Sequence, residues 1–409
     1  MDPFSLDASS EGRMIEMEGS RRSATVSGDS VISDAIEPEI ADVLDARLAR
    51  RRGSSAYHAA SADVVSRRLT ALFAANREAV HISGVRRMAG GASKEQFVFE
   101  AKHPDGTLER LVLRMEPIAG IIETSRVREA EVIQAMHGIV PVPQVRLVDA
   151  EGTHLGAPGL VTSFVPGVTK PVGAAGGVTG LGNMYDERHA LRLGEQFVRH
   201  LAAIHAFDWS SASLPSFTAP QADRRQAALW QVGWWSRVWR EDRIEANPVL
   251  TMAEWWLREN APKAGDLVVV HGDYRMGNFL FDENTLDFTA VLDWELAHIG
   301  DFHEDLGWIV QRLYRSTTRD GQELICGLMP LDRFLDTYQQ YTGREVDRRK
   351  LRFYELLAYL KCAVMNLSSG PLAAANSHSH QDVLLTWLSS IGHTFIGDIA
   401  RILDEEDWT

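Results

Sequence analysis

Cysteine is nearly absent: only Cys326 and Cys362 occur among 409 residues. Two cysteines cannot build a disulfide framework, and such usage fits a reducing compartment, so a cytoplasmic protein is expected. Positive charge is also short, 42 Lys+Arg against 56 Asp+Glu, for a net charge of −14. A nucleic-acid binder with a broad basic face is therefore not expected. Proline and glycine are modest at 15 and 32, well below the share of a low-complexity chain. No apolar run approaches the roughly 18 residues of a membrane span. The acidic start lacks the apolar core of a secretory leader, so neither a leader nor a membrane partner is expected. What is present is 45% hydrophobic and 24% charged residues, enough for a sizeable core over about two or three domain-sized units.

The chain divides by pattern. Residues 1–50 hold 11 acidic and 5 basic side chains among many Ser, Gly and Ala, and 1–60 read as an acidic extension, partly mobile. Within it, Ile40, Val43, Leu44 and Leu48 have helical spacing from Pro38 onward. A second helix follows Ser61, a plausible N-cap, with Val64, Val65, Leu69, Leu72 and Phe73 on one face. A β-rich unit, 61–165, then carries hairpin grammar. The β-prone runs 96–101 and 111–115 flank Pro104-Asp105-Gly106, and strands near 145–148 and 159–165 come after a helix over 125–137. Beyond a glycine-containing loop at 167–184 the period changes to 3.6. Helices are expected at 188–207, 221–242 and 249–260, one strand-rich interval at 267–294, then helices to the end. The fold class is α+β, a small β-rich lobe before a larger, mostly helical one spanning 166–409.

The chemistry concentrates in 267–308. Three apolar runs, 267–270, 279–281 and 289–292, each end against polar functional residues. His271, Asp273 and Asn278 follow the first; Asp293 and Glu295 follow the third. Strands hold such loops rigidly, so carboxylates from two strand ends can converge. An Asp, an Asn five positions on and a second Asp twenty later fit one use. One carboxylate orients a hydroxyl and takes its proton, while amide and second carboxylate hold Mg²⁺ on the phosphates of a nucleotide. Oxygen ligands without nearby Cys favour hard Mg²⁺ over zinc. A metal-hydrolase set of His271, Asp273, His298 and Asp301 lacks recognisable ligand spacing.

The His-Gly-Asp-x-x-x-x-Asn run with its Leu-Asp-Trp-Glu sequel resembles the aminoglycoside phosphotransferase-like family, relatives of protein kinases. In texture it is similar to the branch related to kinase-like domains fused to acyl-CoA dehydrogenases. The resemblance covers roughly residues 80–400. It implies a protein-kinase-like bilobal fold and an ATP- and Mg²⁺-dependent enzyme that phosphorylates a hydroxyl of a small molecule. Asp273 would be the base, with His271 supporting its loop. Asn278 and Asp293 would hold Mg²⁺, and Glu295 would touch metal or acceptor. Gly90-Gly91-Ala92-Ser93, otherwise an ordinary hairpin turn, would cover the phosphates, with Gly90, Gly91 and Ser93 as nucleotide contacts. Arg114 stands on the third strand where the family pattern has Lys; Glu129, or in another register Glu131, would pair with it. Val161 to Val165 would link the lobes, with Ser163 and Val165 at the adenine edge. The insert carrying Trp230, Trp234, Trp235 and Trp239 would help wall the acceptor pocket, although core packing is the plainer role for most of these rings. His205 reads as a satisfied core histidine, and Asp305 as structural, capping an apolar helix.

Two features argue for a small acceptor rather than a protein. No Ala-Pro-Glu occurs after Asp293, and an apolar helix starts within about a dozen residues of it, leaving no room for a peptide platform. Gly272, not Arg, precedes Asp273. The rival reading, a non-catalytic nucleotide-binding or interaction protein, rests on the missing strand Lys and the long acidic start. The acceptor's identity, ATP against GTP, and the oligomeric state are not encoded in any of these patterns.

Overall fold

A computed structural model describes residues 36–53, 56–88, 93–171 and 185–405; most of the acidic extension, Gly90 and Gly91 therefore lie outside the described residues. Helix α1 (Pro38–Gly53) is followed by α2 (Ala62–Ala75), which starts where the Ser61 hydroxyl accepts from the Val64 N–H at 3.3 Å. The α2 stripe of Val65, Leu69, Leu72 and Phe73 is buried, each side chain contributing about 1.5–3 kcal/mol by leaving water. It covers a five-stranded sheet: β1 (His81–Arg87), β2 (Glu95–Lys102), β3 (Leu108–Met115), β4 (Val145–Asp149) and β5 (Gly159–Ser163). Their order is β1-β2-β3-β5-β4, every neighbour antiparallel. The β2–β3 hairpin closes around Pro104-Asp105-Gly106 with Lys102 opposite Leu108, as the turn grammar predicts. Between β3 and β4 lies helix α3 (Arg126–Met136), N-capped by Ser125.

The second lobe begins with α4 (Glu187–Ala206), α5 (Gln226–Asp242) and α6 (Pro248–Asn260). The predicted runs then appear as β6 (Leu267–Val270), β7 (Phe279–Phe281) and β8 (Phe288–Val291). They do not form one sheet. β7 pairs with β8, while β6 pairs with β9 (His298–Asp301), a strand the patterning does not anticipate. Helix α7 (His303–Ile309) and a second unanticipated feature, the hairpin β10 (Arg315–Thr317) and β11 (Glu323–Ile325), precede the closing helices α8 (Leu331–Thr342), α9 (Arg348–Val364), α10 (Gly370–Ala375) and α11 (Asp382–Asp404). This is the bilobal α+β arrangement expected.

Two apolar cores result. The smaller joins α2 to the five-stranded sheet; the larger fills the helical lobe and also takes in Ile40 and Leu44 of α1. Helix α11 corrects one expectation. Its 23 residues, with a window of mean hydropathy 1.2, are long and apolar enough to cross a membrane by length and composition. Thr386, Ser389, Ser390, His393 and Thr394 interrupt the run and mask it to inspection. One face, including Leu385, Phe395, Ile399 and Ile402, is buried in the larger core.

Candidate active site

The loop between β6 and β7 is held from beneath. Asp305, on α7, accepts from the backbone N–H groups of His271 (2.8 Å) and Gly272 (2.9 Å) and meets His205 Nε2 at 3.0 Å. Burial alone would raise the Asp305 pKa; the bonds to His205 and this loop bring it below the ordinary value. Asp305 is therefore a loop anchor, the structural role expected of it, exercised on the loop and not as a cap of α7. His205 is the satisfied core histidine anticipated, its other nitrogen 2.7 Å from the Tyr338 hydroxyl. Gly272 has φ +83, and a Cβ there would sit 2.7 Å from the Leu296 carbonyl oxygen, so only glycine fits.

His271 couples two strand ends. Its Nε2 lies 3.0 Å from the Leu292 carbonyl, next to Asp293, and its Nδ1 accepts from the Asp273 N–H at 3.2 Å. Burial lowers its pKa despite the neighbouring Asp305 and Asp273, so a neutral ring with the proton on Nε2 satisfies both contacts.

Asp273 is fixed by three donors. Its Oδ1 accepts from Arg275 Nε (2.9 Å) and Trp308 Nε1 (2.8 Å), and its Oδ2 from Asn278 Nδ2 (2.7 Å). Burial raises the Asp273 pKa above the usual carboxylate value, Arg275 acts in the opposite sense, and nearby Asp293 adds to the rise. Because the Asn278 amide nitrogen also donates to the Asp273 carbonyl at 2.9 Å, its oxygen is left as the atom for a ligand.

Asp293 follows β8 with φ 61 and ψ 53, a left-handed conformation that a non-glycine residue adopts at a cost and that marks functional turns. Its Oδ1 meets Arg114 Nη2 at 2.6 Å, while Arg114 Nη1 meets Glu129 Oε1 at 2.5 Å. The structure thus brings Arg114, Glu129 and Asp293 together, with Arg114 and Asp293 179 residues apart in sequence. Glu131 instead accepts from Ser216, which selects the Glu129 register. Around this pair lies a buried ion cluster that the patterning does not anticipate. Arg126 pairs with Glu129, Glu116 and Glu295, and Lys94 pairs with Glu116 (2.8 Å) and Glu295 (3.4 Å). Glu295, expected at the metal, has its Oε2 between Lys94 and Arg126. Burial works against its charge, but Lys94 and Arg126 bring its pKa down to about 2. The cations at that oxygen tie Glu295 into this cluster.

Among the described residues, no group of three or more His, Cys, Asp or Glu could cage a metal ion. Mg²⁺ seldom uses such a cage; it takes one or two protein oxygens plus substrate phosphates. The Asn278 oxygen and the Asp293 carboxylate fit that requirement. The Nε of Arg114, buried without a partner among the described residues, leaves a donor for an anion. Ser93, just before β2, bonds to Glu295. Ser163 accepts from the Gln144 N–H at 2.9 Å, and half-buried Val165 comes after Phe164, whose ring lies 3.8 Å from the Arg110 guanidinium. Trp230, Trp234, Trp235 and Trp239 are all buried, Trp234, Trp235 and Trp239 within the larger core. Core packing accounts for Trp234, Trp235 and Trp239.

Residues 84–354 match the model of the phosphotransferase enzyme family, APH. The chain belongs to that family. Among its relatives, acyl-CoA dehydrogenase family member 11 of Gallus gallus is 26% identical over 298 residues, 67% of this chain and 36% of that protein. The aminoglycoside 3'-phosphotransferase of Streptomyces fradiae is 28% identical over 229 residues, 54% of this chain and 73% of that one. The chain spans only 18–36% of the length of the first acyl-CoA dehydrogenase-type relatives it matches. A solved Ralstonia eutropha structure, assigned to the aminoglycoside phosphotransferases, superposes with a TM-score of 0.58 at 21% identity, covering 82% of this chain and 97% of that one. The protein-kinase-like fold is thereby shared. The resemblance to both branches seen in the sequence holds.

Proposed function

We propose that this phosphotransferase-family chain moves the γ-phosphoryl group of ATP, with Mg²⁺, to a hydroxyl of a small molecule. The observation that carries the reading is Asp273, a half-buried carboxylate locked by three donors and standing beside Asn278. Its raised pKa suits a group that accepts a hydroxyl proton near neutrality. Asn278 and Asp293 would hold Mg²⁺, which when bound neutralises phosphate charge. Arg114, anchored by Glu129, would hold the phosphates by its charge, which a guanidinium keeps at any working pH. Ser93, with Gly90 and Gly91, would cover them, while the Ser163–Val165 link would meet the base. The path of the chain beyond Asp293 supports a small acceptor: β9 pairs back onto β6, and α7 starts at His303, leaving no extended platform for a peptide.

The test is incubation of the purified chain with Mg·ATP and a small-metabolite extract, with mass spectrometry to detect a gain of phosphate. A Mg²⁺-dependent product absent from the Asp273→Asn variant supports the reading. An identical product profile with parent and variant overturns it.

A further inference from the structure

Resting on that functional reading, we infer that Arg128 is a positioning residue. Through Glu37 it makes the N-terminal helix α1 a clamp that holds α3 in the register where Glu129 meets Arg114.

Arg128 and Glu129 are adjacent on α3 and point about 100° apart, as successive helical residues do. Glu129 turns to Arg114 and Arg126. Arg128 turns to an independent set of partners and is 5% exposed. Its Nη1 and Nη2 meet the two oxygens of Glu37 at 2.7 and 3.1 Å, a bidentate pair with a carboxylate that is also 5% exposed. Nη1 further donates to the Ser216 carbonyl and Nη2 to the Ala297 carbonyl at 3.4 Å, and the guanidinium lies 4.0 Å from the Phe217 ring centre. Four segments therefore meet at one side chain: the start of α1, α3, the loop before α5, and the turn that carries Asp293 and ends at Ala297.

Glu37 is committed to this junction. Its carbonyl accepts from the Ile40 and Ala41 N–H groups, so its backbone opens α1. Its carboxylate is spent on Arg128 and on the Thr218 N–H at 3.1 Å. The far end of α1 is fixed as well: Arg47 and Arg51 pair with Asp242 on α5, and Arg50 with Glu123 just before α3. A helix outside the family-matched region is thus riveted to both lobes. A buried bidentate charge pair has one good geometry, so α3 has little freedom to rotate. Rotation of α3 would carry Glu129 away from Arg114, and the strand cation would lose its anchor.

The test uses Glu37→Gln in the full chain, with Asp45→Ala as comparison. Asp45 also lies on α1 but is exposed and pairs with Arg237. Affinity for Mg·AMP-PNP is read by calorimetry, and backbone hydrogen exchange over 126–136 by mass spectrometry. Glu37→Gln should weaken the analogue about tenfold, within the range of coupling between linked sites, and speed exchange across α3. Asp45→Ala should do neither. Irreversible loss of folded protein lowers the binding stoichiometry, and a reversibly unfolded fraction weakens the apparent affinity only in proportion to the folded fraction, so a tenfold loss in a variant that circular dichroism shows to be folded separates positioning from stability. Should Glu37→Gln not fold, Glu37→Asp keeps the charge but shortens the reach, and the same result is expected. Parent-like affinity in the Glu37 variant, or an equal loss in Asp45→Ala, overturns the inference while leaving the functional reading intact. A parent that bound no Mg·AMP-PNP would overturn both.

Discussion

Replacing Trp308 by Phe should move the acid limb of the pH–activity profile upward. The indole N–H donates to Asp273 Oδ1 at 2.8 Å, one of three donors on that carboxylate. Phe keeps an aromatic ring in the site and deletes this donor together with part of the ring volume. A hydrogen bond to a charged group contributes roughly 1.5–3 kcal/mol, and its loss falls on the ionised form of Asp273. One pKa unit corresponds to about 1.4 kcal/mol. The Asp273 side chain is 17% exposed, so water replaces part of the lost bond and the lower end applies, a rise of about one unit. Proton acceptance needs the carboxylate, so a higher pKa delays activity to higher pH. Arg275→Met, which removes a full charge 2.9 Å away, should move the limb further in the same direction. The assay is Mg·ATP-dependent product formation from about pH 4 to about 9, with kcat/KM fitted at each point. An acid limb unmoved in both variants would refute the assignment of Asp273 as the titrating group.

Asp273→Asn should lower kcat by roughly 10²–10⁴-fold while Mg·AMP-PNP still binds, because Asp273 is not placed on the nucleotide. Asp293→Ala should abolish the Mg²⁺ dependence of nucleotide binding, read as the difference between titrations with Mg²⁺ and with EDTA. Arg114→Lys should retain activity and Arg114→Ala should raise the KM for ATP strongly, since charge is kept in the first and lost in the second; an unchanged KM in Arg114→Ala would remove Arg114 from the phosphate site. Stability should fall as pH drops from about 4.5 towards 2. Although burial disfavours its charge, Glu304 is held down to about 2 by His298 and Lys361, and Glu295 likewise by Lys94 and Arg126. Carboxylates depressed in the folded state stabilise it above their unfolded pKa and lose that contribution as pH falls through the folded value. Urea midpoints against pH should show the loss, less steeply in Glu304→Gln.

Local pattern made much of this architecture legible. The β2–β3 turn, the Ser61 cap and the 3.6 period of α4 to α6 are signals carried over short stretches of chain, and each appears where expected. The candidate site loop is legible for a related reason: His271, Asp273 and Asn278 lie on one short connection, and Asp293 ends the next hairpin. β9 was not, because His-Ile-Gly-Asp is too short to show alternation and becomes a strand only by pairing with Leu267–Val270. Trp308 reaches Asp273 from 35 positions away, and no spacing rule links an apolar helix residue to a distant carboxylate. Arg275, two residues after Asp273, could have been found by asking which cation the base carries. The Trp-rich stripe of α5 shows the opposite limit: periodicity marks a face, and only packing decides whether that face meets core or ligand.

The same limit bears on Arg114. From the sequence, Arg in place of Lys counts against catalysis, because one residue is compared with one pattern. In the fold the comparison is with a cluster in which Lys94, Arg114 and Arg126 face Glu116, Glu129, Asp293 and Glu295. Three cations facing four carboxylates require donors that can serve two partners at once. The guanidinium of Arg114 does this along its fork, with Nη1 on Glu129 and Nη2 on Asp293; a lysine ammonium would have to meet both carboxylates at one point. The substitution is therefore matched to its surroundings. It ties the helix bearing Glu129 directly to the turn bearing Asp293, so that one side chain bridges the two lobes.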